Sequence, residues 1–430
     1  MYCGYVTSLH DVNKHPNADR LQCAYAFSNQ VIVDTSYYEG QKVAYFPVDG
    51  QLSEEFARDN NLVRVKDENG KNIGGYLDPN KRNICAIRLR GEKSDGLVLP
   101  IEVLSKYVDV RSLNDGDEIT VLNGVEICKK YIPVNRSKPS RPSAQSKSGK
   151  RKIAETKYPF FAKHVDTAQL VYNSNAFHIG DTIYITLKMH GTSARTMNAL
   201  EVKTKTRTRI QKLFGMKDKT QRNYSIISGS RNRTLTDYEG GFYNNDRFRE
   251  KYNTFFANVL PKGVEVFYEI VGYVNEETPI MGKCNNARLN DKDFLNKYGK
   301  ETVFSYGCQP GENECYVYRM TMTNDDGYTV EIPWEEVAHW CDQTGVKHVP
   351  TLDKFIFTSW DDLMSRVERH YDGVDPIGKT HIREGVVVRI DNRPVFTAFK
   401  HKNFSFKCLE GIVKDNASAP DMEEVEELLA

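Results

Sequence analysis

The chain lacks the features of a membrane or secreted protein. It has no apolar run of membrane-spanning length, and its first residues have neither the basic nor the apolar region of a signal peptide. Its nine cysteines are odd in number and include no Cys-x-x-Cys pair, which argues against a disulfide framework and a structural zinc site. The formal net charge is only +1. These absences predict a soluble, cytoplasmic protein with reduced thiols and no membrane partner.

What the chain does have is length and an uneven distribution of charge. Its 430 residues exceed what one hydrophobic core usually supports, so more than one domain is expected. Residues 129–154 contain nine basic and no acidic side chains among Pro and Ser, a composition typical of a linker. We therefore predict four segments: an N-terminal domain at 1–128, a basic linker at 129–155, a larger domain at 156–414 and an acidic tail at 415–430.

The two predicted domains differ in their patterns. In the first, short runs of β-forming residues at 31–33, 42–46, 84–89 and 118–122 are separated by glycines, which predicts a small β-barrel such as the OB-fold. After the linker, strand patterns alternate with amphipathic helical patterns, which predicts an α+β domain. One helix should run through Phe248, Tyr252, Phe255, Phe256 and Val259 and stop at Pro261. Another should begin at Ser359 as its N-cap.

One lysine stands at the end of a predicted strand. The alternating run DTIYITL at 181–187 leads directly into KMHGTS at 188–193, so Lys188 would present its amine at a strand end. Such an amine is a candidate nucleophile for a nucleotide phosphate. A single Lys-x-His-Gly sequence is weak, however, and in isolation Lys188 is better explained as a solvated lysine.

Further segments supply what such a nucleophile requires. A strand pattern at 263–272 carries Glu269, whose carboxylate could accept hydrogen bonds from ribose hydroxyls. Alternation at 315–320 places Tyr316 and Tyr318 on one face, where one of them could stack on a purine. Glu384 precedes another strand pattern and is a candidate ligand for Mg²⁺ or Mn²⁺, which prefer hard oxygen.

The last segment, FKHK at 399–402, aims the amines of Lys400 and Lys402 in the same direction. Two such cations fit a phosphate group, and they would favour the neutral, nucleophilic form of a nearby Lys188. Each segment alone has a plainer explanation as core or surface. Those explanations do not account for the order of the series, in which a lysine is followed by Arg231, an acid, an aromatic residue, a second acid and paired lysines.

This series resembles motifs I, Ia, III, IIIa, IV and V of the covalent nucleotidyltransferase superfamily, which includes RNA ligases, DNA ligases and mRNA capping enzymes. The Lys-x-His-Gly form of motif I and the KHKN sequence at 400–403 are most similar to the RNA ligase 2 group. The resemblance covers most of residues 160–412 and implies a catalytic domain of ATP-grasp-like antiparallel sheets.

The resemblance also implies a role for each matching residue. Lys188 would form the covalent bond to AMP, Lys400 and Lys402 would act on the phosphate, and Glu384 would bind the metal. The residues implied to bind the nucleotide are His190, Gly191, Arg231, Glu269, Tyr318 and Val387.

Two features depart from the RNA ligase 2 pattern. Leu187 stands where those enzymes have a glutamate, so the resemblance does not account for adenine recognition at that position. An insertion at 203–222 has eight basic residues and only Asp218 acidic, and it is either a solvated hairpin or an arm along RNA phosphates. The candidate RNA contacts in the insertion and the N-terminal domain are Lys203, Lys205, Arg207, Arg209, Arg88 and Arg90.

The N-terminal segments HPNADRL at 15–21, IRLRG at 87–91 and GLVLP at 96–100 resemble OB modules of tRNA-binding proteins. They also resemble the amino-terminal domain of the RNA ligase 5 family, in which an OB module precedes the ligase domain. DNA ligases and capping enzymes place an OB domain of about 100 residues after motif V. Only 28 residues follow Lys402 here, which favours the RNA ligase 5 type.

The sequence therefore predicts an ATP-dependent RNA ligase that uses Mg²⁺ or Mn²⁺. It would join a 3′-OH end to a 5′-phosphate end at nicks in a duplex, through enzyme-AMP and adenylylated RNA. Its partner would be RNA, either a nicked duplex or broken ends such as those of a cleaved tRNA, and a monomer is the default expectation. A GTP-dependent capping guanylyltransferase and a non-catalytic RNA-binding protein are the alternatives.

Overall fold

The computed structural model describes residues 2–132, 154–161, 164–205, 219–231 and 246–415, together with positions 207, 217, 233–235 and 238. Most of the predicted basic linker and the predicted acidic tail lie outside these residues. The described residues form two compact units, one within residues 1–133 together with Asn403–Asp415 and the other within residues 134–402. No helix in the described part is long and apolar enough to cross a membrane.

The N-terminal unit is built mainly from short antiparallel strands. The largest sheet has four strands in the order Leu97–Pro100, Lys42–Phe46, Gly4–Ser8 and Glu118–Ile119. A second sheet contains His10–Lys14, Leu21–Ala26 and Asn29–Asp34. The two-stranded sheets pair Ala86–Leu89 with Glu92–Asp95, Gly50–Leu52 with Cys128–Lys130, Val65–Lys66 with Asn72–Gly74, and Val121–Leu122 with Val125–Glu126. Among the described residues these sheets do not close on themselves, so the predicted β-barrel is not confirmed.

Residues 2–132 also contain three helical segments, namely the α-helix Glu54–Asp59 and the 3₁₀ turns Ile101–Leu104 and Val110–Ser112. The segments that resemble tRNA-binding modules contact each other here. His15 is buried with its Nε2 atom 3.1 Å from the carbonyl oxygen of Leu89, and the Asn17 amide donates to the carbonyl oxygen of Arg90 at 3.1 Å. The first of these segments therefore packs on the hairpin that contains the second.

The last described helix, Phe404–Asp415, also belongs to the N-terminal unit. Its apolar residues Phe406 and Leu409 are buried, as is Phe404 at its start. Lys407 Nζ lies 2.6 Å from Asp95 Oδ2, and this pair is nearly buried. The helix is thereby attached to the hairpin formed by Ala86–Leu89 and Glu92–Asp95.

The C-terminal unit contains two large sheets. The seven-stranded sheet has the order Thr234–Leu235, Lys219–Ser230, Thr192–Lys205, Val264–Gly272, Asn313–Thr323 and Thr329–Glu331, and Ala154–Lys157 also pairs with Thr192–Lys205. The five-stranded sheet has the order Ala168–Gln169, Ala398–Lys402, Gly385–Ile390, Thr182–Lys188 and Thr351–Ile356. A small sheet pairs Cys284–Asn285 with Glu301–Thr302. Every pair of neighbouring strands in the large sheets is antiparallel except Ala168–Gln169 with Ala398–Lys402.

Helices connect and cover these sheets. Among the described residues of this unit, the α-helices are Glu250–Val259, Lys292–Tyr298, Trp334–Thr344 and Trp360–His370, and the 3₁₀ turns are Leu170–Tyr172, Ser174–Ala176, Arg247–Arg249 and Asn286–Leu289. Both predicted helices are confirmed. Phe256 is fully buried in the first, which ends before Pro261, while Phe248 lies just before this helix in the 3₁₀ turn Arg247–Arg249. Ser359 caps the second, because its hydroxyl accepts the N–H of Asp362 at 3.2 Å. The predicted α+β class is therefore confirmed.

Candidate active site

Lys188, Gly385 and Lys402 lie side by side on three neighbouring strands of the five-stranded sheet. The strand registers place Lys188 opposite Gly385 and Gly385 opposite Lys402. Two positions further along, Thr186, Val387 and Lys400 are aligned in the same way. Residues that the sequence presents in three separate motifs are thus brought together at one end of this sheet.

Glu384 lies between the two lysine amines. Its Oε1 atom is 2.7 Å from Lys188 Nζ and 3.6 Å from Lys402 Nζ. The Glu384 side chain is 2% exposed and that of Lys188 is 21% exposed, so the carboxylate lies behind an amine that reaches solvent. The second carboxylate oxygen, Oε2, has no hydrogen-bond partner among the described residues. The 2.7 Å charge-assisted contact between Lys188 Nζ and Glu384 Oε1 holds the amine in one place.

Gly385 makes the close approach of these strands possible. Its φ of +149° is rarely adopted by other residues. A Cβ atom at this position would lie 2.2 Å from the carbonyl oxygen of His401 and 2.8 Å from Lys402 Cα. The glycine therefore allows Lys402 to lie next to Glu384.

We predict that Gly385→Ala lowers the free energy of unfolding by about 3 kcal/mol and strongly reduces nucleotide-dependent activity, because backbone strain and a steric clash coincide. Denaturant unfolding measures the first effect, and transfer of labelled AMP to the protein measures the second. Gly74→Ala is the control, since a Cβ there meets nothing within 4 Å. Equal stability of the two variants would contradict the prediction.

A pocket opens beside Lys188 and is lined by both large sheets. Six of the predicted site residues line it: Lys188, Arg231, Glu269, Tyr318, Val387 and Lys400. The predicted residues Glu384, Lys402, His190 and Gly191 do not line this pocket. Leu187, which stands where the RNA ligase 2 group has a glutamate, does line the pocket. Lysine and arginine side chains on a pocket that also offers an acid and an aromatic ring suit a phosphorylated aromatic ligand.

Tyr318 reaches this pocket from a β-bulge. The pairing of Val264–Gly272 with Asn313–Thr323 shifts register, so that Phe267 faces Arg319 while Tyr268 faces Val317, and Tyr318 is the extra residue. Its hydroxyl lies 3.0 Å from Ser193 Oγ and 2.9 Å from His164 Nε2.

Of the two tyrosines expected on this strand, only Tyr318 lines the pocket. Tyr316 is buried beside Lys347 and is not part of the lining. The bulge therefore selects which of the two rings is available to a ligand.

Gly191 and His190 position the segment that follows the nucleophile. A Cβ on Gly191 would lie 2.3 Å from the carbonyl oxygen of Ile270 and 3.0 Å from Glu269 Cγ, so the glycine allows this segment to pack against the strand that carries Glu269. The backbone N–H of His190 donates to the Tyr306 hydroxyl at 2.7 Å. Burial raises the pKa of Tyr306 well above its ordinary value, so this hydroxyl stays protonated.

Several residues at the pocket are not predicted from the sequence. Asp166 forms an ion pair with Arg231 at the pocket wall. Arg389 also lines the pocket, and burial lowers the pKa of its guanidinium to about 10, which still leaves it charged at neutral pH. The alternation of the strand was a usable signal for Arg389, because it follows Val387 by two positions. Asp166 has no such local signal.

The insertion that carries candidate RNA contacts is described only in part, and two long paired strands lie at its ends. Thr192–Lys205 pairs with Lys219–Ser230, and Lys203 Nζ lies 2.8 Å from Glu201 Oε2. Arg207 Nε donates to the carbonyl oxygen of Lys217 at 3.4 Å. The Lys205 side chain and the whole of Arg209 lie outside the described residues. The paired strands are present in the described part, and whether this segment stays solvated or contacts RNA stays untested.

The two arginines of the N-terminal unit that are candidate RNA contacts, Arg88 and Arg90, are exposed. Arg88 donates to the carbonyl oxygen of Gly91 at 3.2 Å, and its guanidinium carbon lies 5.4 Å from the centre of the Phe404 ring. Arg90 has a φ of +46° at the turn of the same hairpin. Their contact with RNA also stays a prediction.

The family model described as RNA ligase matches residues 181–409, which is more than half of the chain. The structure resembles that of Naegleria gruberi RNA ligase with PPi, with a TM-score of 0.58 and 15% identity over 94% of this chain and 98% of that chain. A glutamate-to-alanine variant of the same ligase with ATP and Mn has a TM-score of 0.58 and 16% identity over 95% and 98% of the two chains. No curated protein matches the chain.

The similarity to solved structures shows a shared fold at this low identity. The family match includes the strand that ends at Lys188, the segment with Glu384 and the strand with both lysines. It confirms the resemblance recognised in the sequence motifs. The chain belongs to the RNA ligase family.

Proposed function

We propose that this protein is an ATP-dependent RNA ligase that joins 3′-OH and 5′-phosphate ends at nicks in a duplex. The observation that carries the proposal is the position of Lys188, whose amine lies 2.7 Å from Glu384 at the wall of a pocket with Arg231, Glu269 and Tyr318. ATP is the nucleotide we infer, because variants of the similar Naegleria ligase were solved with ATP and with AMP.

In the first step the Lys188 amine attacks the α-phosphate of ATP. A P–N bond forms, the bond to pyrophosphate breaks, and the amine loses a proton. Lys400 and Arg231 line the same pocket and would offset phosphate charge, while the contact with Glu384 holds the amine in position. AMP then passes to the 5′-phosphate of RNA, and the 3′-OH displaces it to form the phosphodiester.

The purine and ribose have separate places in this proposal. Tyr318 and Val387 come from different sheets and line the same pocket, so a purine could lie between the ring and the aliphatic side chain. Glu269 lines the pocket beside them and would accept hydrogen bonds from the ribose hydroxyls.

A divalent cation fits Glu384. Its Oε2 atom is buried without a hydrogen-bond partner among the described residues, and such a carboxylate oxygen is the kind of ligand that Mg²⁺ and Mn²⁺ prefer. No group of three or more His, Cys, Asp or Glu side chains in the described part could hold a metal ion. Glu384 would therefore share the ion with water and phosphate oxygens, and the ion would offset the charge of the triphosphate.

Contacts with RNA are proposed for two regions. The N-terminal unit resembles an OB module in three segments, and we infer that it binds the RNA strand with Arg88 and Arg90 among its contacts. The hairpin that carries Lys203 and Arg207 would follow RNA phosphates, which predicts salt-sensitive binding. A nicked duplex is the expected substrate, broken tRNA ends are a second one, and the protein would act as a monomer.

Incubation of the protein with labelled ATP or GTP and a divalent cation tests the function. We expect one AMP per chain from ATP, located by mass spectrometry on the peptide that contains Lys188, followed by sealing of a nicked RNA duplex. An adduct from GTP alone would indicate a capping guanylyltransferase. RNA binding without any adduct would indicate a non-catalytic protein.

A further inference from the structure

Arg389 joins the two sheets that form the nucleotide pocket. It lies on the strand Gly385–Ile390 of the five-stranded sheet, and its Nη2 atom donates to the carbonyl oxygen of Tyr318 on the seven-stranded sheet. Its Nε atom lies 3.4 Å from Thr186 Oγ1. The guanidinium carbon also lies 4.3 Å from the centre of the Trp334 ring. These three contacts fix the plane of the guanidinium group.

Trp334 is itself held rigidly. Its backbone N–H donates to Asp391 Oδ1 at 2.8 Å, and its indole N–H donates to Thr351 Oγ1 at 2.9 Å. The side chain is almost fully buried. Arg389 therefore lies on a fixed aromatic surface and is pre-organised to reach the Tyr318 carbonyl group.

The carbonyl group that Arg389 contacts belongs to the bulged residue. An extra residue in a β-bulge is left out of the regular ladder, so its backbone groups need other partners. Arg389 supplies such a partner for the backbone of Tyr318, while Ser193 and His164 contact the hydroxyl at the other end of the side chain. The ring that would stack on the purine is thus fixed at both ends.

We propose that Arg389 is a positioning residue that stabilises the β-bulge and thereby holds the Tyr318 ring in place to stack on the nucleotide base. The inference rests on the proposed function of the pocket. It differs from direct phosphate binding, in which Arg389 would act as one more cation beside Lys400. The two roles predict different responses to a ligand without a base.

The kinetics of AMP transfer test this role. Arg389→Met should raise the KM for ATP about tenfold with a smaller change in kcat, because a charge-assisted hydrogen bond to the bulge is lost. Arg389→Lys should restore part of the effect, since a lysine keeps the charge but not the planar group. Arg393→Met is the control, because Arg393 pairs with Asp181 Oδ1 at 2.6 Å and does not line the pocket.

A double-mutant cycle with Tyr318→Ala separates indirect from direct action. If Arg389 acts through the ring, Arg389→Met should add no more than about a twofold increase in KM to the Tyr318→Ala variant. Pyrophosphate has no base, so its inhibition of AMP transfer should be unchanged in Arg389→Met. Independent effects that multiply, or a matching loss of pyrophosphate inhibition, would overturn the proposal.

Two further results keep the outcomes distinct. If the wild-type protein forms no AMP adduct, the proposed function fails, whereas an adduct with an unchanged KM in Arg389→Met defeats only the role of Arg389. If the Arg389→Met protein does not fold, Arg389→Lys replaces it in the double-mutant cycle with Tyr318→Ala. If Arg389→Lys leaves both the KM for ATP and the inhibition by pyrophosphate unchanged, the planar guanidinium group is not needed to hold the β-bulge, which would argue against the proposal.

Discussion

Replacement of Lys188 by arginine is expected to reduce formation of the AMP adduct at least about a thousandfold, in line with the removal of a catalytic nucleophile elsewhere. Arginine keeps the positive charge and can still contact Glu384, which lies 2.7 Å from the lysine amine. Its guanidinium does not lose its proton under ordinary conditions and is not a nucleophile. The variant therefore separates the chemistry of the amine from its charge. Transfer of labelled AMP from ATP measures the effect.

Two comparisons make this result specific. Lys354→Ala removes a lysine of the same sheet that pairs with Glu335 at 3.0 Å and is half exposed, and it should leave adduct formation unchanged. The Lys188→Arg protein should also still seal RNA that already carries AMP on its 5′-phosphate, because the last step requires no lysine nucleophile. A normal adduct in Lys188→Arg would contradict the assignment of the nucleophile.

Replacement of Glu384 by glutamine is expected to reduce adduct formation about a hundredfold or more, comparable to the loss of one charged group that stabilises a transition state. Glutamine has nearly the same shape, but it lacks the negative charge that faces Lys188 and Lys402. The concentration of Mn²⁺ needed for half-maximal adduct formation should rise, because a neutral amide is a weaker ligand than a carboxylate. Titration with Mn²⁺ measures this change.

Stability provides a separate readout for Glu384. Glu384→Ala removes a buried carboxylate from between two ammonium groups, so the free energy of unfolding should fall by about 1–3 kcal/mol. Adding Lys402→Met should recover part of that loss without recovering activity. Glu335→Gln is the matched control at an exposed ion pair. An unchanged Mn²⁺ requirement in Glu384→Gln would show that Glu384 does not bind the metal.

The sequence predicts the strands around the nucleophile well, because each strand has a pattern among neighbouring residues of the chain. Alternating apolar residues lead into Lys188, three consecutive β-branched valines follow Gly385, and Lys400 and Lys402 stand two positions apart, and each of these patterns favours a strand. A buried strand also has few ways to present a charged side chain, so its end is the expected place for one. The family match confirms the type of enzyme, while the roles of the individual residues stay predictions.

Contacts between distant parts of the chain are not predicted from these local patterns. Alternation placed Tyr316 and Tyr318 together, but the register shift that separates their environments depends on pairing with Val264–Gly272. The hydroxyl of Tyr318 contacts His164, which is 154 residues away in the sequence, and no local pattern indicates such a contact. The predicted β-barrel depended on sheet closure, which short strands do not specify. Sequence periodicity thus identifies elements better than it identifies their partners.

The place of the last described helix, Phe404–Asp415, has a consequence for dividing this protein into modules. Phe404, Phe406 and Leu409 are buried in the N-terminal unit, although they follow Lys402 directly in the chain. A fragment that starts after the basic linker would retain this helix but lose the hairpin that contains Asp95. The apolar side chains of the helix would then be exposed to solvent, which favours aggregation. Cleavage of the chain at a single position therefore cannot separate the two units intact. A graft or domain exchange would have to move both ends of the polypeptide together.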